Sequence, residues 1–249
     1  MYTEHSQLPM KYADSQKIWR YMDYAKFESL IHNESLFFCR ADKFANDKWE
    51  GVFPVKMIET FELDTRSFPS DDGNTYTGLQ WHVQKEARSH LVNCWHADDT
   101  ESFAMWKIYC GDRPRSIAIQ STIGRLKRSF NANDERIWIG DVEYIDFREW
   151  EPDNRFFNVN TPNTLKAFFL KWHYFKYENE IRAVINKAYN KHRADKGILV
   201  KIDLTELINC IYVSPVSSHE DEQAIKAILD DHGYSIPICR SVLGVSLYM

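Results

Sequence analysis

Glycine and proline are scarce in this sequence, nine and eight among 249 residues, where ordinary usage is about 7% and 5%. That excludes collagen-like and low-complexity architectures. The cysteines, Cys39, Cys94, Cys110, Cys210 and Cys239, are odd in number, widely spaced and without a CxxC pair. They predict reduced thiols in a cytoplasmic protein rather than a disulfide framework or a zinc ribbon. No apolar run approaches the roughly 20 residues of a membrane span. The start, Met-Tyr-Thr-Glu-His-Ser, lacks a basic stretch followed by an apolar one, so neither a signal peptide nor a membrane partner is expected. Excess positive charge is missing too: 31 Lys and Arg stand against 36 Asp and Glu, a net charge of −5. That disfavours a mainly electrostatic nucleic-acid binder, although a local basic groove would still admit one. There is no GxGxxG, P-loop, HExxH or GxSxG motif, which removes most of the case for Rossmann enzymes, P-loop NTPases, zincins and α/β-hydrolases.

What the chain has in quantity is aromatic residues, 14% of it, including eight tryptophans. With 44% hydrophobic and 27% charged residues it can build a full core. The aromatic excess points to an aromatic-rich core or to a cleft that stacks flat ligands. Periodicity predicts strands at 18–21, 35–40, 91–95, 116–121, 137–147, 178–185, 196–203, 208–213 and 236–241. Helices are predicted over 24–31 behind an Asp23 N-cap, over 55–64 and 79–90, in one or two turns at 102–109, and over 123–130 and 220–232. A further helix is predicted over 164–174, with Leu165, Phe168, Phe169 and Trp172 on one face. Residues 1–14 read as a peripheral segment and 66–78, rich in turn-forming residues, as a surface loop. No repeat or linker is visible in 1–249. The expectation is therefore a single α+β domain, with a mixed, mostly antiparallel sheet core and flanking helices.

Four segments could carry chemistry. On a strand, Glu178, Glu180 and Arg182 share one face, and Ile181, Ala183 and Ile185 share the other. Two carboxylates within roughly 7 Å raise the proton affinity of one of them, with Arg182 compensating in part. That suits acid/base work or the stabilisation of a developing cation. A solvated strand face with a Glu–Arg pair explains the same residues and is the commoner outcome. Asn46, Asp47 and Glu50 fall in a turn-prone stretch that either lines a site or ties a loop. Cys94 and His96 share a strand face as a nucleophile with its base, as two metal ligands or as packing. No further ligands stand at zinc spacing, so packing is preferred and no metal is expected. Trp95 and Trp106 either pack beside Cys94 or form a flat wall for a nicotinamide or adenine ring. Arg20, between Trp19 and Tyr21, can clamp a phosphate or stack on its aromatic neighbours.

Together and in this order, the segments resemble an uncharacterised bacterial family, the domain of unknown function 2971. The likeness is carried by Trp19-Arg20-Tyr21, and by the run from Leu36 to Phe44 leading into Asn46-Asp47-x-x-Glu50-Gly51. It continues through Cys94-Trp95, Met105-Trp106-x-x-Tyr109 and Glu178-x-Glu180-x-Arg182. It spans about residues 18 to 185, with Lys48-Trp49 where the family's loop usually has proline. The chain more loosely resembles mono-ADP-ribosyltransferases of the Arg–Ser–Glu type, which set an arginine on the first core strand and a Glu-x-Glu late in the chain. That resemblance implies an ADP-ribosyltransferase-like topology and NAD as the nucleotide ligand. It implies that Arg20 holds a phosphate, with Tyr21, Trp95 and Trp106 around the cofactor. Glu180 would bond the nicotinamide ribose and stabilise an oxocarbenium-like transition state. Glu178 would orient or deprotonate a macromolecular acceptor, and Asn46, Asp47, Glu50 and Arg182 would contact substrate or shape its loop. A Ser-Thr-Ser motif has no clear counterpart; Ser116 or Ser121 stands in by position only. The expected role is a transferase, for example a bacterial toxin or phage-defence effector. One alternative is a Mg²⁺-dependent nuclease using Asp47, Glu50 and Glu178 or Glu180. Another is a non-enzymatic interaction domain whose buried charges fix the fold. The discriminating feature is whether Arg20, Glu50, Glu178 and Glu180 converge on one cleft.

Overall fold

The computed structural model describes residues 1–5, 8, 10–44, 54–56, 67–69, 75–77, 86–131, 134–151, 164–187 and 195–244. Strand β1 (Lys17–Met22) ends at Asp23, whose side chain accepts from the Lys26 amide and starts helix α1 (Tyr24–Asn33). Phe27, Leu30 and Ile31 form the buried face of that helix. Strands β2 (Ser35–Arg40), β3 (Ser67–Pro69), β4 (Thr75–Thr77) and β5 (His90–Ala97) follow. Helix α2 (Phe103–Met105), capped by Ser102, widens into a π-helical turn over Trp106–Cys110. That turn stops at Gly111, whose φ of 60° is a backbone region that side-chain-bearing residues rarely adopt. Next come β6 (Ile117–Thr122), α3 (Ile123–Ser129), β7 (Trp138–Asp141), β8 (Glu143–Ile145) and β9 (Leu170–Trp172). They are followed by β10 (Glu180–Asn186), β11 (Gly197–Lys201), α4 (Leu204–Leu207), β12 (Cys210–Val213), α5 (His219–Asp231) and β13 (Ile238–Arg240). Two 3₁₀ helices, Thr164–Phe169 and His173–Glu178, bracket β9.

Among the described residues nine strands form one sheet, in the order β11-β2-β5-β1-β6-β12-β13, with β10 on β5 and β7 on β10. Its pairs are antiparallel except β12 with β13. The fold is thus α+β, with the mixed, mostly antiparallel core and flanking helices that the sequence predicts. Residues of α1, α3, α4 and α5 form one core cluster with Ile18, Trp95, Ile119 and Ile181 of the sheet. A second cluster joins Trp19, Tyr21 and Ala118 to the turn carrying Met105, Trp106 and Cys110. A third joins Val92 and Val184 to Leu165, Phe168 and Phe169. No helix among the described residues is long and apolar enough to cross a membrane.

The structure departs from the sequence reading in several places. The strand expected at 137–147 breaks at Val142 into β7 and β8, which join different sheets. Residues 164–174 are not one α-helix. They form a 3₁₀ helix and then β9, because pairing of Leu170–Trp172 in parallel with β8 outweighs the helical spacing of the apolar residues. The strand expected from 178 starts at Glu180; Glu178 closes a 3₁₀ helix, and Asn179, with φ 38°, makes the corner between them. Within 66–78, β3 and β4 pair with each other. From the amino-terminal segment, Leu8 is buried and the Thr3 amide donates to the Ile137 carbonyl. Of the helices expected at 55–64 and 79–90, residues 55–56 and 86–89 are helix and His90 already begins β5, while the rest lie outside the described residues.

Candidate active site

The site originates in a fork of the sheet. Strand β10 covers one edge of β5 from His90 to His96. The other edge is shared: β2 pairs with it only at Leu91 and Val92, and β1 only at His96 and Ala97. Both strands run antiparallel to β5 and approach its middle from opposite ends, so they diverge before meeting. Among the described residues, Asn93, Cys94 and Trp95 have no strand partner on that edge. Side chains fill the role: Arg20 Nη1 donates to the Cys94 carbonyl at 2.5 Å, and Asn93 Nδ2 donates to the Phe37 carbonyl at 2.9 Å. The opening is a cleft of about 930 Å³, bounded by β1, α1, β2, the π-helical turn and the 3₁₀ helix His173–Glu178. That volume is within the range of small-molecule and cofactor sites.

The fork also lets two faces of the sheet contribute to one cavity. By register, Arg20 belongs with Ile18, Ile119 and Trp95, whereas Glu180 belongs with His96, Cys94 and Arg182. Arg20 nevertheless lines the same cleft as Glu178 and Glu180. Its guanidinium carbon lies 5.9 Å from the centroid of the Trp95 ring. Among the described residues no carboxylate pairs with it. Burial pulls its pKa below the ordinary value, and the Cys94, Tyr109 and Glu180 groups act against that.

Glu180 and Glu178 are joined by a cation from another element. Lys171 of β9 donates to Glu178 Oε2 at 2.5 Å and to Glu180 Oε2 at 3.3 Å. Arg182, fully buried, donates to Glu180 Oε2 at 3.0 Å and to the Phe168 carbonyl at 2.7 Å. The Glu180 amide donates to Tyr144 Oη, and Asn179 bonds to Ala97 and Tyr12, which fixes the corner between the two carboxylates. Their acidities diverge. Burial pushes Glu180 upward, but Arg182 and Lys171 outweigh it and hold the carboxyl at about 2. Glu178 is raised, first by burial, with Lys171 opposing. The expected split between the two carboxylates is present, but desolvation and unequal cation contacts dominate rather than mutual repulsion. The solvated-face alternative is excluded: Glu178, Glu180 and Arg182 are all buried.

The other sequence candidates are placed as follows. Tyr21 and Trp95 line the cleft; Trp106 does not. Trp106 packs at 5.0 Å against Tyr21, with Nε1 donating to Glu101, so it supports the wall rather than facing the cavity. Asn46, Asp47 and Glu50 lie outside the described residues. Cys94 is no nucleophile: burial raises its thiol well above the ordinary value, the Glu180 charge adds to this, and the thiol is bonded to Glu180. Ser116 and Ser121 are buried and outside the cleft; β6 lies beyond β1, and Ser121 Oγ donates to the Leu207 carbonyl. The strand between the arginine and glutamate strands is β5, which offers Asn93, Cys94 and His96 instead. Sequence reading missed Lys171, Phe175 and Tyr177, which also line the cleft, and quoted Tyr109 only as part of a motif, with no site role. Lys171 had a signal, a single charge in the otherwise apolar run from Ala167 to Trp172.

No family model matches the chain, so the resemblance to domain of unknown function 2971 stands on its motifs alone. No curated protein matches it either. Among solved structures it is similar to Thermus sp. 2.9 DarT in complex with NAD+, at 9% identity and a TM-score of 0.41, over 92% of this chain and 97% of that one. The same DarT in complex with ADP-ribosylated ssDNA gives 9% identity and 0.41, over 94% and 97%. At this degree of likeness the assignment is left to the geometry of the cleft.

Proposed function

We propose that the chain is an NAD-dependent, ADP-ribosyltransferase-like enzyme. The observation that carries this is the meeting of Arg20, from β1, and Glu180, from β10, in one aromatic-lined cleft at the fork of the sheet. Each group suits part of a dinucleotide. Arg20, which has no carboxylate partner among the described residues and lies over the Trp95 ring, is available to a phosphate. Tyr109, Phe175 and Tyr177 give flat surface for a ring. Glu180 stays ionised in a buried setting, where its charge is little screened.

In the reaction, the bond from the ribose anomeric carbon to the nicotinamide ring nitrogen breaks. Nicotinamide leaves neutral, taking the electron pair. Positive charge develops on the sugar, and Glu180 supplies the countercharge. The acceptor's nucleophile then bonds to that carbon and gives its proton to Glu178, whose raised proton affinity makes it a better base than an ordinary glutamate. The same network weighs against a Mg²⁺ nuclease. Hard cations need carboxylates free to ligate, whereas Glu178 and Glu180 are already bonded to Lys171, and Glu180 also to Arg182.

The test is incubation of the purified protein with NAD labelled in its adenylate half and a cell lysate. Label should move to a macromolecule, which protease and nuclease digestion then sort into protein or nucleic acid. Glu180→Gln should abolish transfer, and Arg20→Lys should weaken NAD binding about tenfold or more, the loss of a charge-assisted bond pair. No transfer and no NAD loss from the intact wild-type protein would sink the reading.

A further inference from the structure

The transfer reaction uses both carboxylates of the cleft but not the cation between them. Lys171 is buried and lines the cleft beside Glu178 and Glu180. It arrives from β9, outside the nine-stranded sheet. In the parallel register of β8 and β9 it faces Tyr144, so the two side chains leave the same face. Both grip the Glu178–Glu180 corner: Tyr144 Oη accepts from the Glu180 amide, and the Lys171 ammonium bonds both carboxylates. Leu170 of β9 packs with Ile145 and Phe147, and the ammonium sits 5.0 Å from the centroid of the Phe175 ring. The strand is thus held by packing and the tip of the side chain by charge.

The two carboxylates do not depend on Lys171 equally. Glu180 has a second cation, Arg182, at 3.0 Å. Glu178 has no ion pair among the described residues except Lys171, at 2.5 Å. A buried carboxyl without a cation takes up a proton, and a protonated Glu178 could accept none from an incoming nucleophile. The other titratable groups facing it are Glu180 and Arg182 of β10, Tyr109 of the π-helical turn, and His96 of β5, whose Nδ1 bonds the Glu178 carbonyl rather than its carboxyl. Burial raises the Glu178 pKa, the Glu180 charge adds to this, and Lys171 opposes most strongly, ahead of Arg182. Lys171 takes only Oε2; Oε1 makes no hydrogen bond among the described residues. We propose that Lys171 is the positioning residue of the acceptor's base: its ammonium holds Glu178 Oε2, keeps that carboxyl ionised, and leaves Oε1 to receive the proton of the incoming nucleophile. This rests on the transferase reading and extends it to the group that readies the base. As the nucleophile bonds to the anomeric carbon, its proton passes to Glu178, and Lys171 keeps its own.

The experiment follows transfer from adenylate-labelled NAD to the macromolecules of one cell lysate over a pH series, for wild type, Lys171→Met and Lys171→Arg. Removing the cation raises the proton affinity of Glu178, so the acid limb should move upward in Lys171→Met by about one unit or more. At a fixed pH on that limb the loss is about tenfold, and on the alkaline plateau the wild-type rate should return. Lys171→Arg keeps the charge and should lie nearer wild type. A purely structural lysine would lower transfer at every pH and leave the limb in place, and that result overturns the proposal while the transferase reading stands. If Lys171→Met does not fold, the ¹⁵N resonance of Lys171 Nζ in wild type is the readout. It should move with the midpoint of the wild-type acid limb, and a resonance unmoved through that midpoint overturns the proposal. No transfer from wild type at any pH overturns the transferase reading and this one with it.

Discussion

Glu178 and Glu180 are two residues apart, yet the fold gives them opposite acidities, and that difference sets what each can do. Glu180 is held at about 2 because Arg182 and Lys171 overcome its burial. An unfolded glutamate titrates near 4.3. A depressed carboxyl contributes stability that is complete above the unfolded value and is lost as pH falls through the folded one. A shift of about two units corresponds to roughly 3 kcal/mol. Replacing Glu180 also leaves Arg182 and Lys171 with one anionic partner fewer, and breaking a buried pair costs about 3–5 kcal/mol. Glu180→Gln is therefore expected to lose both activity and stability, so a lower melting temperature in that variant does not separate an enzyme from a structural network. The expected pattern in urea unfolding is a large deficit relative to wild type at pH 7 that shrinks by more than half on approaching pH 2.5. A deficit constant over that range would remove the ion-pair account of Glu180.

At the scale of elements, most of the strands and helices near the site were legible in the sequence, and the corners were not. Alternation placed β1, β2, β5 and β6, and Asp23 announced α1, because each depends on neighbours in sequence. Alternation could not show that Arg20 and Glu180 meet, since it assigns them to opposite sheet faces. Their meeting depends on β1 and β2 diverging from β5, which only the register of three strands reveals. Lys171 was hidden for a similar reason, as the helical spacing of Leu165, Phe168 and Trp172 masked a strand set by pairing with β8. The corner at Asn179 is where local chemistry becomes decisive. Its left-handed backbone suits Asn or Gly, its Nδ2 donates to the Ala97 carbonyl, and its Oδ1 accepts from Tyr12 at 2.8 Å. Asn179→Ala should cost about 2–3 kcal/mol, combining backbone strain with lost hydrogen bonds. Asn179→Gly should cost about 1 kcal/mol less, because it removes the bonds but not the accessible backbone region. Chemical denaturation of the two variants checks the order, and equal losses would show that strain at this corner is negligible.

At the scale of the molecule, the cleft is a defect in an otherwise continuous sheet. Strands drawn from Lys17 to Arg240 enter the same nine-stranded sheet, so the chain is expected to unfold as one unit. The fork interrupts that continuity where β1 and β2 leave β5, and at that edge Arg20 and Asn93 side chains replace ladder bonds. A ligand bound to Arg20 on β1, to Tyr109 on the π-helical turn and to Glu180 on β10 would span the interruption. Such a ligand stabilises by mass action, about 2.7 kcal/mol at a hundred times its Kd. For a chain of 249 residues, with about 2–4 °C per kcal/mol, a non-cleavable NAD analogue at that concentration should raise Tm by roughly 5–10 °C. The transition should remain single, since the ligand joins parts of one sheet. Arg20→Met should remove most of the shift at the same analogue concentration, and its unliganded Tm should itself fall by a few degrees, because the variant gives up the bond that stands in for a ladder bond to the Cys94 carbonyl. Calorimetric scanning of both proteins, with and without the analogue, reads all of these outcomes. An undiminished shift in Arg20→Met would place the phosphate elsewhere in the cleft and detach Arg20 from ligand binding.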